Sequence, residues 1–403
     1  MNIDLDFLHH GLPKRELKSE KSGLLPADPP FLKEKGGIYT KILEEMLENK
    51  NLCGFSFISE QYDHEVQGGS VLKPLCGRGR INTEAQVFRP LLSYKKGVVL
   101  SASLYTSYGD ISSYAMTACA LDTAVRNIIC AGGALSHLAV LDNFCWCSSY
   151  DKNRLAQLKS SVKACYDSGV GFGTPFISGK DSMFNDFKGY DEKGKPVSIS
   201  IPPTLLISAL SVIPDVEKVI SPEFKNAGDF IFLLGETKDE LGASEYYKLL
   251  AQKSKKEKNI GSEAPVVNPE KNLKIYKVVE RLIDQQILHS ALSLASGGLA
   301  IALAKASIGG MIGCAISLKN ISGEAFSADS LLFSESQGRI LVSLPREKIF
   351  KFKRMAKEIP WTQLGQVIKK PDLTILDRND RKIVNAPVKK LHKIYHQFSE
   401  RMK

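Results

Sequence analysis

Apolar and polar positions along the chain switch repeatedly between the two-residue period of strands and the 3.6-residue period of helices. Val98–Leu104 is a short β-branched run that predicts a strand. Tyr114, Ala118, Leu121, Val125 and Ile128 then recur at helical spacing, and His137–Phe144 predicts a second strand. Leu155, Leu158, Val162 and Cys165 mark another amphipathic helix, closed by Gly169, Gly171 and Gly173. Thr174–Ser178 is the next predicted strand. The stretch 197–213 gives two more, broken by Pro202 and Pro203. A second series starts near 225, with a strand at Phe230–Gly235, a helix over 239–250 and a polar, lysine-rich loop over 251–270. Leu273, Tyr276, Val279, Leu282 and Ile287 form one apolar helical stripe. A short helix after Gly297-Gly298 leads to strands near 311–318 and 338–344. Ahead of all this lies a Pro-rich lead (Pro26, Pro29, Pro30) and a helical pattern around Ile38–Leu47. Strands that alternate with helices in both halves predict an α/β (α+β) fold in two modules.

Composition narrows the class. A chain of 403 residues, 43% hydrophobic and 24% charged, has ample length for two or more compact units. No stretch approaches the roughly 18 apolar residues of a membrane span, and the first residues lack the apolar core of a secretion signal. Eight scattered cysteines include only one close pair, Cys145-Trp146-Cys147, and no second pair completes a zinc set. A reducing, cytoplasmic setting is therefore expected. The net charge of +10 invites a nucleic-acid reading, but its distribution argues against one. Much of the excess sits in the loop near 253–258 and in residues 377–403, the latter with eight basic against three acidic side chains, and neither has a recognisable binding motif.

The richest chemistry is in FISGKDSMFNDF (176–187). Gly179 permits close backbone approach, and Lys180, Asp181 and Ser182 supply a cation, a hard-metal carboxylate and a hydroxyl in succession. A turn whose polar residues face water accounts for the same residues. Asp142, on the preceding strand in LDNFCWC, is placed to face the ligand of Gly179, or to cap its own turn. On the helix before it, Asn127 offers a metal-ligating oxygen and shares a face with Thr123, while Asp122 and Arg126 read as a plain ion pair. Asp110 is an oxygen donor that N-capping explains as well. Asp63, His64 and Glu65 in YDHEVQGG cannot all converge if they lie on a strand. His289 reads as a structural histidine on an apolar helix. Ser244, Glu245, Glu335, Ser336 and Gln337 follow strand-like segments and suit either a sugar phosphate or turns and caps.

Taken together and in order, YDHEVQGG, LDTAVRN, LDNFCWC, FISGKDSMFNDF, IPPTLLIS, GETKDELGASEYY and LLFSESQGR resemble phosphoribosylformylglycinamidine synthase, in particular the C-terminal half of its synthetase component. The resemblance implies an aminoimidazole-ribotide-synthetase-like architecture: a linker and helix over 1–55, an N-terminal ATP-binding and pairing domain over 56–215, a C-terminal domain over 216–388 and a basic tail over 389–403. It implies ATP-dependent, magnesium-assisted amidation of formylglycinamide ribotide in purine biosynthesis, with ammonia from a glutaminase. Phosphorylating the amide oxygen turns a poor leaving group into a good one. Matched by position, Asp142, Gly179 and Lys180 are expected to contact ATP and Ser182 the substrate, with Asp181, Asn127 and Asp110 as metal candidates. The resemblance also implies a separately encoded first half as partner, the catalytic groups themselves being unassigned here, and a homodimer as a further arrangement. Two departures stand out. Where smaller members carry a metal-binding Asn this chain has Lys180, and Thr123 replaces a Glu four residues before Asn127. The family's His-Asp-x-Ser-Asp/Glu-Gly-Gly-Leu aligns with Leu292–Leu299, which keeps Gly297-Gly298-Leu299 and loses the acidic and histidine groups. The alternatives are a non-catalytic scaffold half with a decayed nucleotide site, or a stand-alone relative that phosphorylates another small molecule.

Overall fold

A computed structural model describes residues 2–11, 15–20, 38–61, 65–256, 260–325 and 327–402. Helix α1 (Ile38–Glu48) precedes a six-stranded sheet built from β1 (Ser70–Leu72), β2 (Ala85–Phe88), β3 (Gly97–Ser103), β4 (Ala139–Cys145), β5 (Phe176–Ser182) and β6 (Thr204–Ile213). The spatial order is β1-β2-β3-β6-β4-β5. Neighbours are antiparallel except the last pair, β4 and β5. Helices α2 (Ser113–Cys130) and α3 (Lys152–Phe172) connect these strands. Ser112 caps α2 by accepting from the Ala115 N–H, and Asp151 caps α3 through Asn153 and Arg154. Gly173 ends α3 in the left-handed region at φ 68°, as the glycine punctuation predicts.

Strand β6 shows the logic of this sheet. Leu205, Ile207, Ala209, Ser211 and Ile213 are buried on one face, where α2 packs; Leu206, Leu210 and Val212 point the other way and stay partly open. An antiparallel sheet with one wet face normally alternates apolar with polar. Here the open face is apolar too, with Phe88, Leu100, Leu104 and Val212 exposed.

The second sheet holds β7 (Phe230–Leu234), β8 (Ser290–Ser293), β9 (Gly313–Ser317), β10 (Ile340–Leu344), β11 (Trp361–Ile368), β12 (Asp372–Leu376) and β13 (Lys382–Pro387), in the order β8-β10-β7-β11-β9-β12-β13. Its central strands FIFLL and ILVSL are buried on both faces, which is why they read as continuous apolar runs. Helices α4 (Glu245–Lys253), α5 (Pro269–Asp284), α6 (Gly298–Gly310) and α7 (Val388–Arg401) complete the module. Helix α5 packs on α2 and α3, so one apolar core runs across both modules; a second gathers α1, α6 and α7.

Three sequence expectations change. The helix expected over 239–250 begins at Glu245, because Ala243 sits at φ 55° and Ser244 caps the first turn. His289 is not on a helix: it enters β8, and its Nδ1 lies 2.8 Å from Asp229 Oδ2. Residues 388–401, expected largely as a tail, form α7 with Val388, Leu391 and Tyr395 buried, while its lysines face water. The described helices include none long and apolar enough to cross a membrane. Tyr62, Asp63 and His64 lie outside the described residues.

Candidate functional site

Strand β5 runs from Phe176 to Ser182, so the Gly-Lys-Asp-Ser segment is extended and not a turn. This divides the residues expected to act together. Asp142 lies opposite Gly179 across the parallel β4–β5 pairing and opposite buried Ile207 on β6, on the face that packs against the helices. A Cβ at Gly179 would stand 2.6 Å from Asp142 Oδ1, so glycine is what lets this carboxylate lie over the neighbouring strand. Burial, then the charge of Asp181, pushes the Asp142 carboxyl up, and the Lys180 backbone N–H partly offsets them. Alternation turns Lys180 and Ser182 to the opposite, open face, opposite Asn143 and Cys145. Ser182 Oγ is 3.3 Å from Asn185 Oδ1. Asp110 is exposed, at the end of the turn Thr106–Asp110, in the field of Arg154 and Lys248. Asp142, Gly179 and Asp181 are thus together, Lys180 and Ser182 are together on the other face, and Asn127 and Asp110 join neither group.

A cleft of about 460 Å³ opens between the two modules. Asn82, Thr83 and Glu84 form one wall, Ala102–Tyr105 and Leu206 another. Thr123 and Asn127 of α2 face Ser293, Ser296 and the start of α6. Gly298, Ile301, Ala302 and Lys305 line it from α6 at spacings that keep them on one helix face. Gly298 is needed at the helix entry: at φ 65° a Cβ would stand 2.5 Å from the Ser334 carbonyl oxygen. Leu206 also belongs to the open sheet face, in one row with Asn143 and Lys180. At two strand spacings, Lys180 is about 10 Å along that face from the cleft wall.

Behind the cleft a buried polar network fixes the modules to each other. Arg126, fully buried, donates from Nη1 to Asp122 Oδ2 (2.6 Å), from Nε to Ser293 Oγ (2.8 Å) and from Nη2 to the Leu294 carbonyl (2.8 Å). Asp122 Oδ1 accepts from Asn272 Nδ2 (2.8 Å) and the Tyr276 hydroxyl (2.6 Å). The pair read as a plain ion pair is therefore the fastener of the interface, where a partner's loss would leave a buried charge. Glu335 accepts from the backbone N–H of Gly297 (2.7 Å) and of Glu245 (3.0 Å), and from the Tyr108 hydroxyl. It thereby caps the starts of α4 and α6 at once. Burial, with the Glu245 charge, raises it to about 7. Ser244 caps α4, and Gln337 Oε1 accepts from Thr123 and Arg126. Of this cluster, expected as either a sugar-phosphate site or turns and caps, Ser244 and Glu335 cap helices and Gln337 joins the contact with α2.

Two cleft residues escaped the sequence reading, Glu84 and Lys305. They form a partly buried ion pair across 221 residues of chain, which no local spacing reveals. The usable signal was Lys305 at the end of the stripe Gly298, Ile301, Ala302. Asn127 is only 4% exposed, and its Oδ1 has no hydrogen-bond partner. The cleft does not fit a magnesium ion: Glu84, its single lining carboxylate among the described residues, is held by Lys305, and Asp181 and Asp110 do not line it. No group of three or more His, Cys, Asp or Glu among the described residues is placed to hold a metal.

Residues 226–378 match the family described as AIR synthase related protein, C-terminal domain. The chain is 30% identical over 364 residues to the phosphoribosylformylglycinamidine synthase subunit PurL of Methanocaldococcus jannaschii, covering 90% of this chain and 46% of that protein. It is 33% identical over 328 residues to the PurL subunit of Alkaliphilus metalliredigens, covering 81% and 40%. In fold it is similar to Thermotoga maritima PurL complexed with FGAR, with a TM-score of 0.63 and 18% identity over 88% of this chain and 56% of that one. The chain spans just under half the length of the curated relatives it matches. Residues 226–378 thus resemble an AIR synthase related C-terminal domain, and over nine-tenths of its length the chain is similar to about half of a PurL subunit.

Proposed function

We propose that the chain is one half of a phosphoribosylformylglycinamidine synthase, an ATP-dependent carbon–nitrogen ligase acting in purine biosynthesis with a separate first half and a glutaminase. The observation that carries this is the uncovered apolar sheet face running into the inter-module cleft. Phe88, Leu100 and Val212 lie exposed on that face among the described residues. Exposed apolar surface of this kind marks an interaction site. Its continuity with the cleft means that whatever covers the sheet also closes the site. Similarity to about half of a PurL subunit supports a second synthetase-type half as the cover. In this reading Lys180 and Ser182, on the open face, meet the ligand at the junction. Asp142 and Gly179 shape the adjoining strand pair from behind, and the reaction medium is the cytoplasm.

The residues present divide the work. The open face docks the partner half, the cleft walls exclude water, and the Arg126 and Glu335 networks hold the two modules at a fixed separation. ATP supplies the phosphoryl group that makes the amide oxygen a leaving group. Magnesium is not assigned to the cleft. The test is reconstitution: the chain, its first-half partner and a glutaminase, assayed for ATP-dependent amidation of formylglycinamide ribotide. Activity only when the chain is present supports the reading; full activity of the partners without it overturns the reading.

A second reading, a non-catalytic scaffold half, is favoured by Glu84 being tied to Lys305 and by the apolar and hydroxyl side chains at Leu292–Ser296. It predicts that Lys180→Ala and Ser182→Ala complexes assemble and retain full amidation.

A further inference from the structure

We propose that the inter-module cleft binds a phosphorylated ligand without a divalent metal ion, Lys305 and the start of α6 supplying N–H donors to the phosphate and Asn127 Oδ1 accepting a hydrogen from the ligand. The inference rests on the nucleotide reading above.

Among the described residues that line the cleft, Glu84 is the one acid and Lys305 the one base, and they are paired. A hard divalent cation binds through six or more oxygens, carboxylates foremost. Here it would have to displace an ammonium from the cleft's single carboxylate. Burial alone would push Lys305 down; the Glu84 charge outweighs that and raises it, so the ammonium stays protonated. An ammonium has three N–H donors, so Lys305 can hold Glu84 and still offer donors to a phosphate oxygen.

The second observation is independent of charge. Asn127 Oδ1 is a buried acceptor with no partner, on a side chain that is 96% buried at the cleft wall (4% exposed). Such an atom costs stability unless something donates to it. The donor that suits it is a hydroxyl or amino hydrogen, both of which a nucleotide carries. Third, α6 is 13 residues long and starts at the cleft with Gly298 and no acidic side chain of its own in the first turn. Its amino end favours an anion. Glu335 takes the Gly297 N–H from behind, which leaves the cleft side of that helix start for the ligand.

The probe is ADP, titrated calorimetrically into the full chain with EDTA and then with excess Mg²⁺. Equal affinity within about threefold is expected, because the cleft's one carboxylate is held by Lys305 and offers magnesium no free ligand, while the spare Lys305 N–H donors serve the phosphate in either buffer. Lys305→Met should weaken ADP in EDTA about tenfold or more, the loss of a charge-assisted hydrogen bond. The same variant frees Glu84, so Mg²⁺ should now tighten binding. If Lys305→Met does not fold, Glu84→Gln with Lys305→Met keeps the cleft neutral and should bind weakly with or without Mg²⁺. Tightening of wild-type binding by Mg²⁺ of about tenfold or more would overturn the proposal, that being a full metal contribution. So would ADP affinity unchanged in the Lys305 variants, or no ADP binding in either buffer. Intact metal-free ADP binding in a reconstituted complex without amidation would sink the synthase reading and leave this one standing.

Discussion

Glu335 shows how far a single side chain can depend on tertiary surroundings. Its neighbours in sequence are Ser334 and Ser336, yet its carboxylate accepts from backbone N–H groups 90 and 38 residues away, at the starts of two helices. Burial, then Glu245, raises it from 4.5 to about 7. A raised carboxyl contributes stability that is complete below its ordinary value and is lost as pH rises through the folded value. The shift of about 2.5 units corresponds to about 3 kcal/mol, at roughly 1.4 kcal/mol per unit. Urea unfolding of the wild type should therefore show falling stability between pH 4.5 and 7 from this group. Glu335→Gln, which can still accept both backbone N–H groups through one oxygen, should flatten that slope. Parallel slopes in the two proteins would place the pH dependence in another group.

The elements follow local rules until burial intervenes. Caps at Ser112, Asp151, Ser244 and Asn268 start four helices, each accepting a backbone N–H of its first turn. Helix α7 is the instructive exception, since its lysine-rich composition suggested a solvated tail. Its buried apolar positions Val388, Leu391 and Tyr395 recur at three and four residues, and Leu391 and Tyr395 close the core shared with α1 and α6. Leu391 is completely buried, so Leu391→Ala should cost about 2–5 kcal/mol in chemical unfolding. A cost below about 1 kcal/mol, typical of surface sites, would return α7 to the status of an appendage. Strand β5 is the opposite case. It was expected to stop at Ser178, and its pairing with β4 carries it through to Ser182, which separates Lys180 from Asp181 by a sheet's thickness.

For the molecule as a whole, the open face of the first sheet is the feature that local chemistry leaves unfinished. Leu100 and Val212 are 41% and 36% exposed on it, pointing away from the helices that bury their neighbours. Substituting Leu100→Lys with Val212→Lys should leave thermal stability nearly unchanged, since surface changes fall within about 0.5 kcal/mol. The same pair should abolish association with the partner half, or self-association, in sedimentation at rising protein concentration. If the double variant assembles like the wild type, the face is not the docking surface. If the wild type is monomeric at every concentration and ignores the partner half, the synthetase-half reading loses its main support.

The alternation of periods determined the α/β class, the order of most elements and several of their ends, because helix and strand geometry is imposed by the residues within each segment. The motif set carried the likeness to the synthetase family for the same reason, being a property of order along the chain. The tertiary structure decided which candidate residues meet. Asp142 and Gly179 are neighbours, as their matching strand positions suggested. Lys180 and Ser182 face away from Asp142, because side chains alternate across an extended strand. Asp122 and Arg126 were visible at their four-residue spacing, but only packing against α5 and β8 made them a buried fastener. Glu84 and Lys305 come from opposite modules, so their pairing, and with it the charge of the cleft, exists only once the two halves of the chain have closed on each other.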